Sequence, residues 1–179
     1  MRRFMMKKLM AIIASTGILM AGCGANDASN HDEHANMEHN HEAVPKNMQQ
    51  SEHPKYKVGD EVILTEGHMP GMKDAQGKVK AVYNTYVYEV SYQPKNGDKK
   101  VSHHKWVVNE ELKDAPKSGF KKGDKAIMTA NHMDGMKGAE ATIDAVKHTD
   151  VYVVDYKDTK TNKTVKDHKW MTENELTTK

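Results

Sequence analysis

Cysteine is nearly missing from this chain: Cys23 is the only one in 179 residues. No intrachain disulfide can form, and no thiolate pair can hold a metal, which leaves methionine and histidine as the soft or borderline donors. Phenylalanine and tryptophan are scarce, at two each, so tyrosine and β-branched residues must carry any core. Long apolar runs are also lacking. The longest, "LMAIIASTGILMAGC" (9–23), falls short of the roughly 20 residues a membrane-spanning helix needs. Neither charge sign dominates, the formal balance being +2, so the electrostatic footprint of a nucleic-acid binder is absent. No glycine-rich phosphate loop follows a strand and no serine sits in a nucleophile elbow, so an enzyme is not expected.

The first residues, "MRRFMMKK", carry four basic groups and no acid. With the short apolar run and the small residues after it, they read as an export signal over 1–22. "LMAGC" has the form of a lipobox, which makes Cys23 the expected lipidation site and anchors the chain at the outer face of the cell membrane. Removing 1–22 leaves 23 Lys/Arg against 25 Asp/Glu, a balance of −2.

Residues 23–55 are poor in apolar groups and show no period of 3.6 or 2. Six acids face two lysines in 24–55. Such a segment cannot bury enough apolar surface to offset its ordering entropy and reads as a disordered tether. It holds His31, His34, Met37, His39 and His41, with Met48 and His53 further on. The tract is either a metal-capturing segment or a plain polar spacer.

From Tyr56 the chain repeats itself. Residues 56–112 and 120–176 align at a constant offset of 64 without a gap, with 25 identities in 57 positions. A short Pro- and Gly-bearing linker, 113–119, joins the copies. Within each copy the β-branched run "DEVILT", the alternation of Val79, Ala81 and Tyr83, and that of Tyr86, Tyr88, Val90 and Tyr92 predict strands. "QPKNGDKK" predicts a hairpin loop, "VSHHKWVV" a further strand and "NEEL" a closing helical turn. The expectation is an all-β chain of two tandem small SH3-like barrels after the tether.

The most distinctive motif is His-Met-x-Gly-Met, in "GHMPGMKDA" (67–75) and again in "NHMDGMKGA" (131–139). Glycine allows a sharp reversal there. Such a reversal would gather the thioethers of Met69 and Met72 near the His68 imidazole, and Met133 and Met136 near His132. Two thioethers and an imidazole suit Cu(I), whereas zinc favours thiolate, imidazole or carboxylate and calcium needs oxygens. The competing reading makes the methionines gap-fillers and the histidines hydrogen-bonded scaffold. "HHKWVV" and "DHKWMT" place His104 beside Trp106 and His168 beside Trp170 by strand alternation. His104 and His168 are either further ligands or structural groups, and the tryptophans read as core. His103 and His148, each found in one copy only, read as surface residues.

The lipobox, the His/Met-rich spacer and the doubled "GD…L/M-T…HM.GMK.A…VY…Y…HKW…EL" resemble the YdhK-like lipoproteins of Gram-positive bacteria, copper-resistance lipoproteins among them. The resemblance covers nearly the whole mature chain. It implies a surface-anchored protein that binds Cu(I) outside the cell beside a copper-export ATPase, through His68, Met69, Met72, His132, Met133 and Met136. The alternative is a non-metal module whose tyrosines and tryptophans dock cell-wall glycan or peptide.

Overall fold

The computed structural model describes residues 43–178. The chain is all-β there, with the order β1 (Glu61–Leu64), β2 (Gln76–Tyr92), β3 (Val101–Val108), β4 (Lys125–Ile127), β5 (Glu140–Lys157), β6 (Thr164–Thr172) and β7 (Leu176–Thr177). Two 3-10 turns, Asn109–Glu111 and Glu173–Glu175, stand where the closing helical turns are expected.

The expected pair of strands over 77–92 is one continuous strand of 17 residues, and its counterpart in the second copy has 18. These two strands run antiparallel along nearly their full length, from Gly77 opposite Tyr156 to Tyr92 opposite Ala141. The first half of β2 therefore lies against the second half of β5, and the reverse. β1 and β7 join at one end, and β6 adds to the second half of β5. At the other end β4 flanks the first half of β5, β3 flanks the second half of β2, and Leu112 bridges Met128 as Leu176 pairs with Leu64.

Packing follows this exchange. One core joins Val62, Leu64, Met72 and Val79 of the first copy to Tyr152, Val154, Tyr156, Met171 and Leu176 of the second. The other joins Tyr88, Val90, Tyr92, Val107 and Leu112 to Met128, Met136, Ala141 and Ile143. The two copies are thus present as repeats, yet each lobe is a five-segment curled sheet drawn half from each. Between the lobes Trp106 and Trp170 pack with Val87, Val108, Val151 and Val153.

Two β-bulges break the ladder at related places. Lys80 is the extra residue between the Val79–Val154 and Ala81–Val153 pairs, and Asp144 between Glu89–Ala145 and Val90–Ile143. A bulge shifts the alternation by one. Val79 accordingly enters a lobe core while Ala81 and Tyr83 turn to the tryptophan cluster, against the expectation of one shared face.

Residues 43–55, assigned by composition to the tether, are ordered. The edge of β2 between its β1 and β3 pairings is open, and this segment fills part of it. The Ser51 amide donates to the Val82 carbonyl at 3.2 Å and the Asn84 amide to that of Gln49 at 2.9 Å. Val44 and Met48 pack on the tryptophan cluster, and Ser51 Oγ donates to Asp150 at 2.8 Å. The signal, Cys23, His31, His34, Met37, His39 and His41 lie outside the described residues.

Candidate functional site

The first His-Met-x-Gly-Met segment leaves β1 as two tight turns, with the Met72 amide on the Met69 carbonyl at 3.3 Å and the Ala75 amide on that of Met72 at 2.9 Å. Gly71 has φ +87°, and a Cβ there would stand 2.2 Å from the Asp158 carboxylate. Its carbonyl accepts from the Thr159 amide at 3.0 Å, so the loop is seated on the β5–β6 hairpin of the other copy. Gly135 repeats this, with φ +76° against Asn96 and its carbonyl accepting from the Lys95 amide at 2.8 Å. The glycine thus serves both the reversal and the close approach.

Seating the loop carries its histidine into a buried polar site. His68 Nε2 donates to Glu175 Oε1 at 3.0 Å, with the imidazole 10% exposed and the carboxylate 5%. Trp106 Nε1 lies 3.0 and 2.8 Å from the two oxygens of the same carboxylate. The amide and hydroxyl of Thr172 complete its shell at 2.8 and 2.9 Å. Burial alone would push the Glu175 carboxyl up. The hydrogen bond and charge of His68, with the Thr172 and Trp106 donors, outweigh that and hold it at about 2. The His168 ring lies 6.2 Å from that of His68, and Tyr156 meets His168 edge-on at 5.6 Å. Nδ1 of His68 is buried without a hydrogen-bond partner among the described residues.

The second lobe repeats the arrangement. His132 Nε2 donates to Glu111 Oε1 at 2.8 Å, and Trp170 Nε1 and the Val108 amide reach Oε2 at 3.1 Å each. His104 lies 6.0 Å from His132 and 6.2 Å from Tyr92, ring to ring. Each site takes its loop histidine and tryptophan from one copy, and its second histidine and glutamate from the other.

These placements sort the sequence candidates. His68 and His168 come together, as do His132 and His104. Met69 and Met133 are half-buried, and Met69 packs against the first core. Met72 and Met136 are wholly buried, one in each core, so these two side chains take the gap-filling role. His104 and Trp106 do not share a face. β3 has an irregularity between its Val107 and His104 pairings, and it turns Trp106 to the central cluster while His104 stays in a lobe. His103 and His148 are exposed, as expected. Trp106, Trp170, Tyr88, Tyr92, Tyr152 and Tyr156 are each at most 3% exposed, which leaves none of them to form an aromatic docking platform.

Glu111 and Glu175 were not among the sequence candidates. Their signal was present: an identical Glu-Leu at the offset of 64, closing each copy behind His-Lys-Trp. In the structure each glutamate folds back from its 3-10 turn onto the preceding backbone amide, a capping arrangement that also aims the carboxylate inward.

Comparison with known proteins agrees with the doubled architecture. The family described as "Protein of unknown function (DUF1541)" matches twice, at residues 58–109 and 122–173. An uncharacterized protein of Bacillus subtilis strain 168, YdhK, is 46% identical over 178 residues, spanning 94% of this chain and 87% of the relative. A crystal structure of that DUF1541 protein superposes with a TM-score of 0.76 at 51% identity, covering 77% of this chain and 94% of the other. A solution structure of its C-terminal domain gives 0.67 at 51% identity, covering 69% and 94%.

Proposed function

The chain belongs to the DUF1541 family, and on that premise we propose that it is a copper-binding lipoprotein rather than an enzyme. Lipidated at Cys23, it holds Cu(I) at the outer face of the membrane and limits copper entry beside an export ATPase. The reading is supported by the two His-Met loops, the His-rich segment before residue 43, and the resemblance to the copper-resistance lipoprotein CopL.

The observation that carries it is the neighbouring pair His68 and His168, ring centres 6.2 Å apart, with Nδ1 of His68 buried and without a hydrogen-bond partner among the described residues. Glu175 occupies Nε2 of His68, which leaves Nδ1 as the ring nitrogen available to an ion. Met69 lies on the same loop and keeps solvent access. An imidazole pair with a thioether is a donor set for Cu(I). The twin set is His132, His104 and Met133. The burial of Met72 and Met136 makes them supports of the loop rather than its exposed donors.

The test is competition of the full chain against a chromogenic Cu(I) chelator under reducing conditions. Met69→Ile with Met133→Ile, and separately His68→Ala with His132→Ala, should each lower the copper held per chain by up to two equivalents. The far-ultraviolet circular dichroism should stay unchanged for the methionine pair. Undiminished copper in both double variants would confine binding to the His-rich segment, and no copper in the parent would end the proposal.

A further inference from the structure

The two bulges of the central ladder are related by the repeat but differ in charge. In the first lobe the bulged residue is Lys80, whose ammonium lies 3.6 Å from Asp155 Oδ2. The Asp167 amide donates to Asp155 Oδ1 at 2.8 Å, which places β6 on this corner with a left-handed residue (φ +51°). The corner therefore holds its own cation.

At the related corner every one of these groups has changed. The bulged residue is Asp144 in place of Lys80, Ser91 replaces Asp155, and His103 (φ +54°) replaces Asp167. Glu89 stands where Val153 stands in the other copy. Ser91 Oγ donates to Asp144 Oδ2 at 2.6 Å and accepts from the His103 amide at 3.2 Å, the same connection that Asp155 makes. His103 Nδ1 lies 2.5 Å from Glu89 Oε1 and 4.0 Å from Asp144 Oδ2. One ligand atom from each of the three residues falls within 4.8 Å of the others. Where one lobe carries an ammonium with Asp155 and Asp167, the other carries two carboxylates and an imidazole with no ammonium among these residues.

We propose that Glu89, His103 and Asp144 form a surface binding site for a divalent cation of borderline hardness, with Zn2+ the representative ion. Imidazole nitrogen and carboxylate oxygen are both zinc ligands, and water can fill the remaining position. The carboxylates are about one-fifth exposed and the imidazole 72%, so the site opens to solvent. The bulge aims Asp144 at the strand pair that carries the other two ligands, and Ser91 holds that carboxylate in place. The two carboxylates supply two negative charges at one point, whereas in the other lobe the Lys80 ammonium stands beside Asp155. This site shares no residue with the copper sites and asks for a harder ion, so it stands or falls independently of them.

The experiment is a Zn2+ titration of the full chain followed by amide proton–nitrogen spectra, which separate this corner from the histidines before residue 43. The amides of Glu89, His103 and Asp144 should shift and saturate together. Asp144→Lys, which transplants the charge of the first lobe, should leave those amides unmoved while the N-terminal signals still respond. His103→Asn keeps a residue tolerant of the left-handed region and should weaken the local shift at least tenfold, giving a second variant should the lysine disturb the bulge. The proposal is overturned if these three amides stay still at millimolar Zn2+ in the parent. Equal movement in the parent and both variants would overturn it as well.

Discussion

Glu175 and Glu111 stand 64 residues apart at related places, but they are not equally held. Glu175 accepts from four donors: His68, the Trp106 N–H shared between both oxygens, and the amide and hydroxyl of Thr172. Glu111 accepts from three: His132, Trp170 and the Val108 amide. The missing hydroxyl follows from one substitution, since Val108 is the counterpart of Thr172. The imidazole facing Glu175 is also the more open of the two, 10% exposed against 4%. Duplication thus preserved the linkage between loop, glutamate and indole in both lobes while its strength drifted. The better-satisfied site is the one whose loop histidine is nearer to solvent, and that histidine is the group the copper reading requires.

The largest expected effect should strike both lobes alike, which makes it the baseline for any difference between them. Tyr88 and Tyr92 in one core, and Tyr152 and Tyr156 in the other, have phenols pushed by burial to about 12. A pKa raised in the fold favours the native state while the phenol is protonated. That stability is complete below about pH 10, where the unfolded phenols titrate, and is lost as pH rises through about 12. Each phenol forfeits roughly 2–3 kcal/mol across that window, so the four together forfeit about 8–12 kcal/mol, which is comparable with the usual 5–15 kcal/mol margin of a domain. Circular dichroism and phenolate absorbance should therefore report cooperative unfolding between pH 10 and 12. Phenolate appearing near pH 10 without loss of structure would show these side chains to be solvated.

A smaller effect separates the lobes. Glu175→Ala and Glu111→Ala each strand a buried imidazole and an indole donor, a class of change that costs about 3–5 kcal/mol. Glu175→Ala should cost more, because it also strands the Thr172 hydroxyl, whereas each variant strands one backbone amide, that of Thr172 or Val108. Urea unfolding of the metal-free protein measures both. Equal losses would mean that the additional donors find water and that the difference between the sites is only geometric.

Much of this was legible in the residues, and the remainder was hidden for definable reasons. The all-β class, the repeat, the hairpin loops and the closing turns follow from alternation, turn chemistry and the constant offset. The partnership between copies does not. Identical halves bury the same apolar residues whether each folds on itself or exchanges with its twin, so periodicity cannot distinguish the two. Glu175 and Glu111 were overlooked for a related reason: a glutamate in a short acidic turn reads as solvated surface until a tryptophan from the other copy arrives above it. The bulge at Lys80 had no local signature and misdirected Ala81 and Tyr83. In each loop the motif singles out the histidine and both methionines by donor chemistry, and residue type alone does not disclose how deeply each side chain is buried. Met72 and Met136 fill the floor of their cores.

The finest distinction between the lobes lies in a pair of tyrosines. Tyr88 and Tyr152 are related by the repeat and are both fully buried. Tyr88 donates to Asn109 Oδ1 at 2.6 Å and accepts from the Phe120 amide at 3.0 Å, while the buried Tyr152 hydroxyl has the Tyr56 amide as a weak donor and finds no acceptor among the described residues. The residue standing where Asn109 would be is Glu173, which is turned toward Lys55 at the surface. Removing a satisfied hydroxyl leaves its partners unpaired, at about 1 kcal/mol. Removing an unsatisfied one relieves a desolvation cost and can be neutral or stabilising. Tyr88→Phe should therefore lower the unfolding free energy by about 1 kcal/mol, and Tyr152→Phe should leave it unchanged or raise it. A comparable loss from Tyr152→Phe would mean that water reaches that hydroxyl, and that the two cores are sealed to different degrees.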